Sequence, residues 1–431
     1  MKAVKLSLLL AVFLLSSLVI AAPSHIVMLK TAYQTRPAVG APSNLTRLAK
    51  YKYVRQVLTS RLENELKPFI KRLAANPAQV AYLPLISAVA VDLTPEKFNA
   101  LRSDPQVYNI IPNGRLSFDY PSRPVQVFPS RTAQTNLNDG LLLHKVSELL
   151  AAGIDINKPG KIVGVIDTGV DGQHPDLASK VIRFKNFENG STTPTDSDTH
   201  GTHVSGIIAG GKSSGTQLGV YPGAKLVVAS ALTSHSNMVL ALQWMLDPDG
   251  NPQTEDQPYV INNSWHIGSA AAEPFYLAMQ ALKDADILIC FSAGNAGRSG
   301  ITRPKEFPIT FTTAAVDKKG VIGSFSSWGP ANFNGQVLQK PEVASMGVDV
   351  VSTLPGGKYG KMSGTSMASP FTAGSVALLG AYFPELSPYT IADAIHKTTQ
   401  RQIQAPWDRQ YGNGLVNVHQ AYLALKQATG R

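Results

Sequence analysis

A single cysteine, Cys290, stands in 431 residues, so no internal disulfide can form. A long chain without cross-links must draw its stability from the size of its core or from bound ions. Cys290 lies in the apolar run ILICFSAG and reads as a packing residue of a buried strand. Long hydrophobic runs are equally scarce. The longest opens the chain, MKAVKLSLLLAVFLLSSLVIAA, with two lysines ahead of the apolar stretch and small residues behind it. That is the layout of a secretory leader, with a cut expected after Ala21. An uncleaved membrane anchor is the rival, although Leu6 to Ala22 is short for a span. Export without a disulfide framework points to a prokaryotic protein, extracellular or periplasmic. Internal repeats and low-complexity tracts are absent. So is a basic surface in the larger part of the chain. Of the net charge of +10, residues 22–120 supply +7 (13 Lys and Arg against 6 Asp and Glu), the leader two, and residues 121–431 only +1. No basic stripe interleaved with aromatics occurs there, which excludes a nucleic-acid interface.

What is present divides into two units. Within 24–112 the stretches SHIVMLK, QVAYLP, ISAVAVDL and QVYNII read as strands. Residues 48–74 and TPEKFNALRSD read as helices, the second capped by Thr94 with Pro95 in its first turn. The order β-α-β-β-α-β is that of a small ferredoxin-like α+β domain. Residues 121–137, rich in Pro, Ser, Arg and Asn, read as a linker. From 138 to 431, short apolar strands (KIVGVID, KLVVASAL, YVINNSW, DILICFSAG, TFTTAAVD) alternate with helical stretches such as 237–247 and 270–284. This pattern predicts a mostly parallel sheet covered on both faces, a three-layer α/β sandwich. In such sheets reacting groups gather at the carboxyl ends of the strands.

That rule supplies a test for each polar position below. Asp167 ends a buried strand in VIDTGVD. Asp-Thr-Gly is also an aspartic-protease signature, but no second Asp-Thr-Gly or Asp-Ser-Gly occurs, so that enzyme would have to be a dimer. His200 and His203 open a helix crowded with small residues, HGTHVSGIIAGG. The zincin spacing is missing, and a histidine on a packed helix start suits a general base. Asn295 ends another strand in SAGNAG, where a side-chain N–H suits a developing oxyanion. Ser366, in GTSMASP, precedes FTAGSVALLGAYF, which is apolar on nearly every face and so predicts a buried helix with the hydroxyl at its N-terminus. The acidic DPDGN turn at 247–251 lacks further cation ligands and reads as a surface turn.

In order and context, VIDTGVD, HGTHVSG, SAGN and GTSMASP resemble the subtilisin family of serine proteases, over about residues 138–424. GVYPGAKL, SFSSWGP and YGNGLVNVHQA extend the likeness. The resemblance implies a secreted, monomeric, self-processing serine endopeptidase acting on proteins or peptides, with Asp167, His200 and Ser366 as triad and Asn295 in the oxyanion hole. It implies that residues 22–120 are an inhibitory, folding-assisting propeptide and that the linker holds the maturation cut. Ser264, Trp265, His266 and Gly294 become substrate-binding residues, with Trp265 making one pocket wall bulkier than usual. No cofactor is implied for the chemistry. Asp176 matches a calcium ligand of calcium-binding members, but Ser213 stands where a ligating asparagine is usual, which weighs against that site. Phe371-Thr372 replaces the usual His-Val after the serine-proline, a change in packing. The primary pocket, placed between 263–268 and 294–303, holds Arg298 and Arg303 and no carboxylate. Cleavage is therefore expected after apolar or aromatic residues, with acidic ones tolerated, and self-cleavage after Phe118, Tyr120 or Phe128.

Overall fold

Near the N-terminus, alternate side chains of one small sheet belong to two different cores. The computed structural model describes residues 23–31, 40–42, 44–115, 126–128, 137–251, 253–268, 272–400 and 406–431. The leader and the candidate cut positions Phe118 and Tyr120 lie outside them. The first unit comprises β1 (His25–Leu29), α1 (Arg47–Arg61), α2 (Lys67–Arg72), β2 (Ala81–Leu83), β3 (Ala88–Val91), α3 (Pro95–Arg102) and β4 (Val107–Pro112). Its antiparallel sheet has the order β2-β3-β1-β4, the ferredoxin-like arrangement expected. Thr94 caps α3 by accepting from Lys97 N–H at 3.4 Å. Val27, Leu29, Val89 and Val91 pack under Leu62, Leu66, Phe69 and Leu101. Ile26, Met28, Ala88 and Ala90 face the other way, into a core shared with the larger unit. A strand's period of two makes this double use possible.

After β5 (Gln126–Phe128), the larger unit runs α4 (Asp139–Leu143), α5 (Val146–Ala151), β6 (Ile162–Asp167), β7 (Val181–Asn186), α6 (His200–Ala209), β8 (Lys225–Ser230), α7 (His235–Trp244), β9 (Val260–Asn263), α8 (Ala272–Asp284), β10 (Leu288–Ser292) and β11 (Thr310–Val316). It continues with β12 (Ala331–Phe333), β13 (Gln336–Leu338), β14 (Val343–Met346), β15 (Val350–Leu354), β16 (Lys358–Met362), α9 (Thr365–Tyr382), α10 (Pro388–Lys397) and α11 (Val418–Thr429). Seven strands pair in parallel in the order β14-β11-β10-β9-β6-β8-β7. Val163, Val165, Val228 and Cys290 point to the layer of α6 and α9, with Val204, Met367 and Phe371. Ile166, Val227, Ile261 and Phe291 point to the layer of α7 and α8, with Met238, Leu242 and Phe275. The three-layer sandwich is as expected, while β7 and β14 are strands that the sequence pattern did not announce. No helix of the described residues is long and apolar enough to cross a membrane.

The two units are tied across α7. Asn113 accepts from Ser236 N–H at 2.9 Å, and Gly114 O accepts from His235 N–H at 3.0 Å. The first unit thus satisfies amides that the start of α7 cannot pair within itself. From α1, Arg47 donates to Pro258 O at 2.9 Å.

Candidate active site

Asp167 is the last residue of β6 and His200 the first of α6, and the parallel strand β7 lies between them in the chain. His200 Nδ1 lies 2.7 Å from Asp167 Oδ1. That oxygen also accepts from Thr168 N–H at 2.8 Å, and Asp167 is wholly buried. Burial of His200 works against a charged ring. The adjoining Asp167 carboxylate, with Asp196 and Asp198 behind it, outweighs burial and raises the imidazole above its ordinary value. Asp196 and Asp198 drew no notice in the sequence. Asp196 accepts from Thr202 N–H at 2.8 Å, Thr202 Oγ1 at 2.6 Å and Thr168 Oγ1 at 2.7 Å, and Asp198 accepts from His200 N–H at 3.2 Å. Together they anchor the first turn of α6. Gly201 lets that turn sit on the neighbouring backbone, since a Cβ there would come within 2.1 Å of Gly169 O.

Ser366 is the second residue of α9, a helix buried along almost its whole length. Pro370 lies four residues on and has no N–H, so the Ser366 carbonyl loses its helical donor. Ser264 Oγ, just past the end of β9, donates to that carbonyl at 3.1 Å instead. The proline and the buried serine are therefore two halves of one local solution. Thr365 ties the same turn to the end of β10. Its Oγ1 accepts from Gly294 N–H at 3.0 Å and donates to Asn295 Oδ1 at 2.9 Å, and its own N–H donates to Asn295 Oδ1 at 3.0 Å. With Oδ1 committed to two donors, the amide's Nδ2 is its donor end. Gly294 has φ +106°, a conformation that favours glycine, and a Cβ there would meet Ser327 Oγ at 2.9 Å. Among the described residues, no hydrogen bond joins Ser366 Oγ to His200.

Other sequence readings fare differently. Trp265 does not bulk out a pocket wall with its side chain. It is 2% exposed, donates to Asn263 Oδ1 at 3.2 Å and stacks edge-on against Phe291, because Ser264 already takes the side facing α9. His266 is half-buried beside it. His203 donates to Val350 O at 3.0 Å and Gly360 O at 3.2 Å, and burial lowers its value to about 3, so it is a neutral packing residue. Arg303 pairs with Glu306 at 3.3 Å, and Arg298 lies over the Trp328 ring. Both oxygens of Asp176 already accept hydrogen bonds, from Ser213 N–H and the Tyr359 hydroxyl, each at 2.7 Å. Phe371 is buried against His144, and Thr372 bonds to Thr313 and Ser345, which accommodates the departure from His-Val.

A carboxylate-held imidazole, a serine opening a buried helix and an oriented amide meet at one end of a doubly wound parallel sheet. Chemically, this is the equipment of a hydrolase with a serine nucleophile. The chain belongs to the subtilase family of serine-type endopeptidases, whose family model ("Subtilase family") matches residues 158–414. Bacillopeptidase F of Bacillus subtilis (strain 168) is 30% identical over 438 aligned positions, covering 93% of this chain and 30% of that protein. A thermostable alkaline protease of Halalkalibacterium halodurans is 30% identical over 342 positions, 78% of this chain and 83% of the relative. Subtilisin E of B. subtilis is 33% identical over 269 positions, covering 60% and 65%. The chain thus spans less than a third of the length of bacillopeptidase F.

Proposed function

We propose that this chain is exported as a precursor, cuts itself, and then hydrolyses peptide bonds through an acyl-enzyme on Ser366. The observation that carries the reading is the 2.7 Å Asp167–His200 pair. It leaves Nε2 as the ring nitrogen that takes the Ser366 proton when Oγ attacks a carbonyl carbon. Asn295 Nδ2 and the Ser366 N–H receive the negative charge that develops on the carbonyl oxygen. His200 then passes its proton to the leaving amine, and water repeats the sequence to free the acid. Asp167 holds the ring and balances its transient positive charge.

Residues 22–120 act in this reading as the inhibitory, folding-assisting segment. Supporting it are the core they share with α7 and α8 and the hydrogen bonds of Asn113 and Gly114 to the start of α7. The cut falls in the linker. Phe128 of β5 pairs with Tyr359 of β16. Asp176 serves as a structural tie between its loop and β16, accepting one protein hydrogen bond on each oxygen. Ser366→Ala should give a folded chain that stays uncut and fails to react with a fluorophosphonate probe. A triad serine is worth roughly six orders of magnitude in turnover. Maturation of the purified alanine variant would overturn the assignment.

A further inference from the structure

The DPDGN turn is only in part the surface feature its sequence suggested. Asp247 is fully buried and Asp256 only 8% exposed. One carboxylate oxygen from each of Asp247, Asp249 and Asp256 lies within 4.8 Å of the others. Asp256 supplies the ligand that the sequence reading found missing. The Oδ1 atoms of Asp247 and Asp256 are shut off from solvent and have no hydrogen-bond partner among the described residues. Buried carboxylate oxygens ordinarily accept a hydrogen bond or touch a cation. Among the described residues, two cations reach this cluster. Arg183 lies 3.5 Å from Asp249 with its side chain 44% exposed. The other is Arg55 of α1, whose guanidinium is buried, pairs with Asp247 Oδ2 and donates to the Tyr51 hydroxyl at 3.0 Å. The buried positive charge therefore comes from the first unit, while all three carboxylates belong to the second.

We propose that Asp247, Asp249 and Asp256 form a site for a hard divalent cation, calcium by preference, which the Arg55 guanidinium plugs while the N-terminal unit is docked. Carboxylates are hard oxygen ligands, and calcium accepts six to eight of them in irregular arrangements where magnesium demands a small octahedron. With Arg55 in place, three carboxyl groups face two guanidinium groups. Once it is withdrawn, one rim arginine remains, and two buried carboxylates need a counter-charge. That the withdrawal happens in the course of maturation rests on the self-processing reading above. The site itself does not.

The test uses the full chain carrying Ser366→Ala, stripped of metal and titrated with calcium chloride by calorimetry, with and without Arg55→Met. The Arg55→Met chain should bind one calcium roughly a hundredfold more tightly than its parent, as expected when a buried ion-pair competitor is removed. Adding Asp256→Asn should abolish the tight site. A folded Arg55→Met chain without tight calcium binding, or a tight site that survives Asp256→Asn, overturns the proposal and leaves the cluster as a docking point for Arg55. Should Arg55→Met not fold, the wild-type product freed of its N-terminal unit is titrated instead. Calcium must then raise its melting temperature more than equimolar magnesium does, and equal effects refute the site. None of the full-chain titrations requires a cut, so a wild-type chain that stays intact would sink the processing reading and leave this one standing.

Discussion

Replacing Thr365 by valine removes one oxygen and nearly preserves shape, so it isolates what that hydroxyl does for Asn295. Two hydrogen bonds disappear, Gly294 N–H to Oγ1 at 3.0 Å and Oγ1 to Asn295 Oδ1 at 2.9 Å. The bond from Thr365 N–H to the same Oδ1 survives. Gly294 is buried, and its stranded N–H should cost about 1–3 kcal/mol, with about 1 kcal/mol more for the lost donor bond. Folding stability should therefore fall by about 2–4 kcal/mol, read by urea unfolding in a Ser366→Ala background that prevents self-digestion. Asn295 Oδ1 would then lose one of the two donors contributed by Thr365. Full loss of such an oxyanion donor costs about 10²–10³ in kcat, so a loosened one should cost about tenfold with KM little changed. Steady-state kinetics on a chromogenic peptide separate the two parameters. A kcat within about twofold of the parent, alongside the expected loss of stability, would show that Thr365 braces the fold and orients nothing.

Asn295→Leu should lower kcat by about two to three orders with KM nearly constant; a large KM effect with kcat preserved would make Asn295 a substrate-binding group. Because His200 must be neutral to accept a proton and its value is raised, kcat/KM should decline as pH falls through a point above the ordinary histidine value of about 6.5. Asp196→Asn removes one of the charges that raise it and should move that acid limb to lower pH; an unmoved limb would confine Asp196 to bracing α6. A peptide-library profile should favour apolar or aromatic residues before the cut, with acidic ones tolerated and Lys or Arg disfavoured. Lys305, buried beside Gly294, adds a positive charge near the expected pocket, and dominance of basic residues would refute this electrostatic argument.

The strands that carry the reacting groups were legible because they are buried on both faces, and IVGVID and LICFS show this as unbroken apolar runs. β7 was not, since VIRFKN is an edge strand in which exposed Arg183 and half-buried Lys185 break the apolar run. β14 was missed because VASM is four residues long and small. Asp167, His200, Asn295 and Ser366 each sat where an apolar pattern stopped or started. Thr365 and Asp196 carried no such mark. Their importance lies in hydrogen bonds across 70 residues for Thr365 and 28 for Asp196, which no local pattern encodes. Trp265 misled for a related reason: strand alternation places Ser264 and Trp265 on opposite sides, and which side faces the site depends on where α9 packs.

The divided loyalty of the N-terminal sheet has a temporal consequence. Ile26, Met28, Ala88 and Ala90, with Tyr51, Val54 and Leu58 of α1, form a face that α7 and α8 cover. Apart from those helices, a unit this small would turn that face to water, and domains of its size have little margin for such a loss. Under the self-processing proposed above, departure and unfolding would be one event, next to an endopeptidase newly able to accept substrates. An unfolded chain can be digested where a docked one cannot. Reassociation would require refolding material that is being destroyed, so the proposed separation would behave as a ratchet, and the small unit as a fuse that burns once.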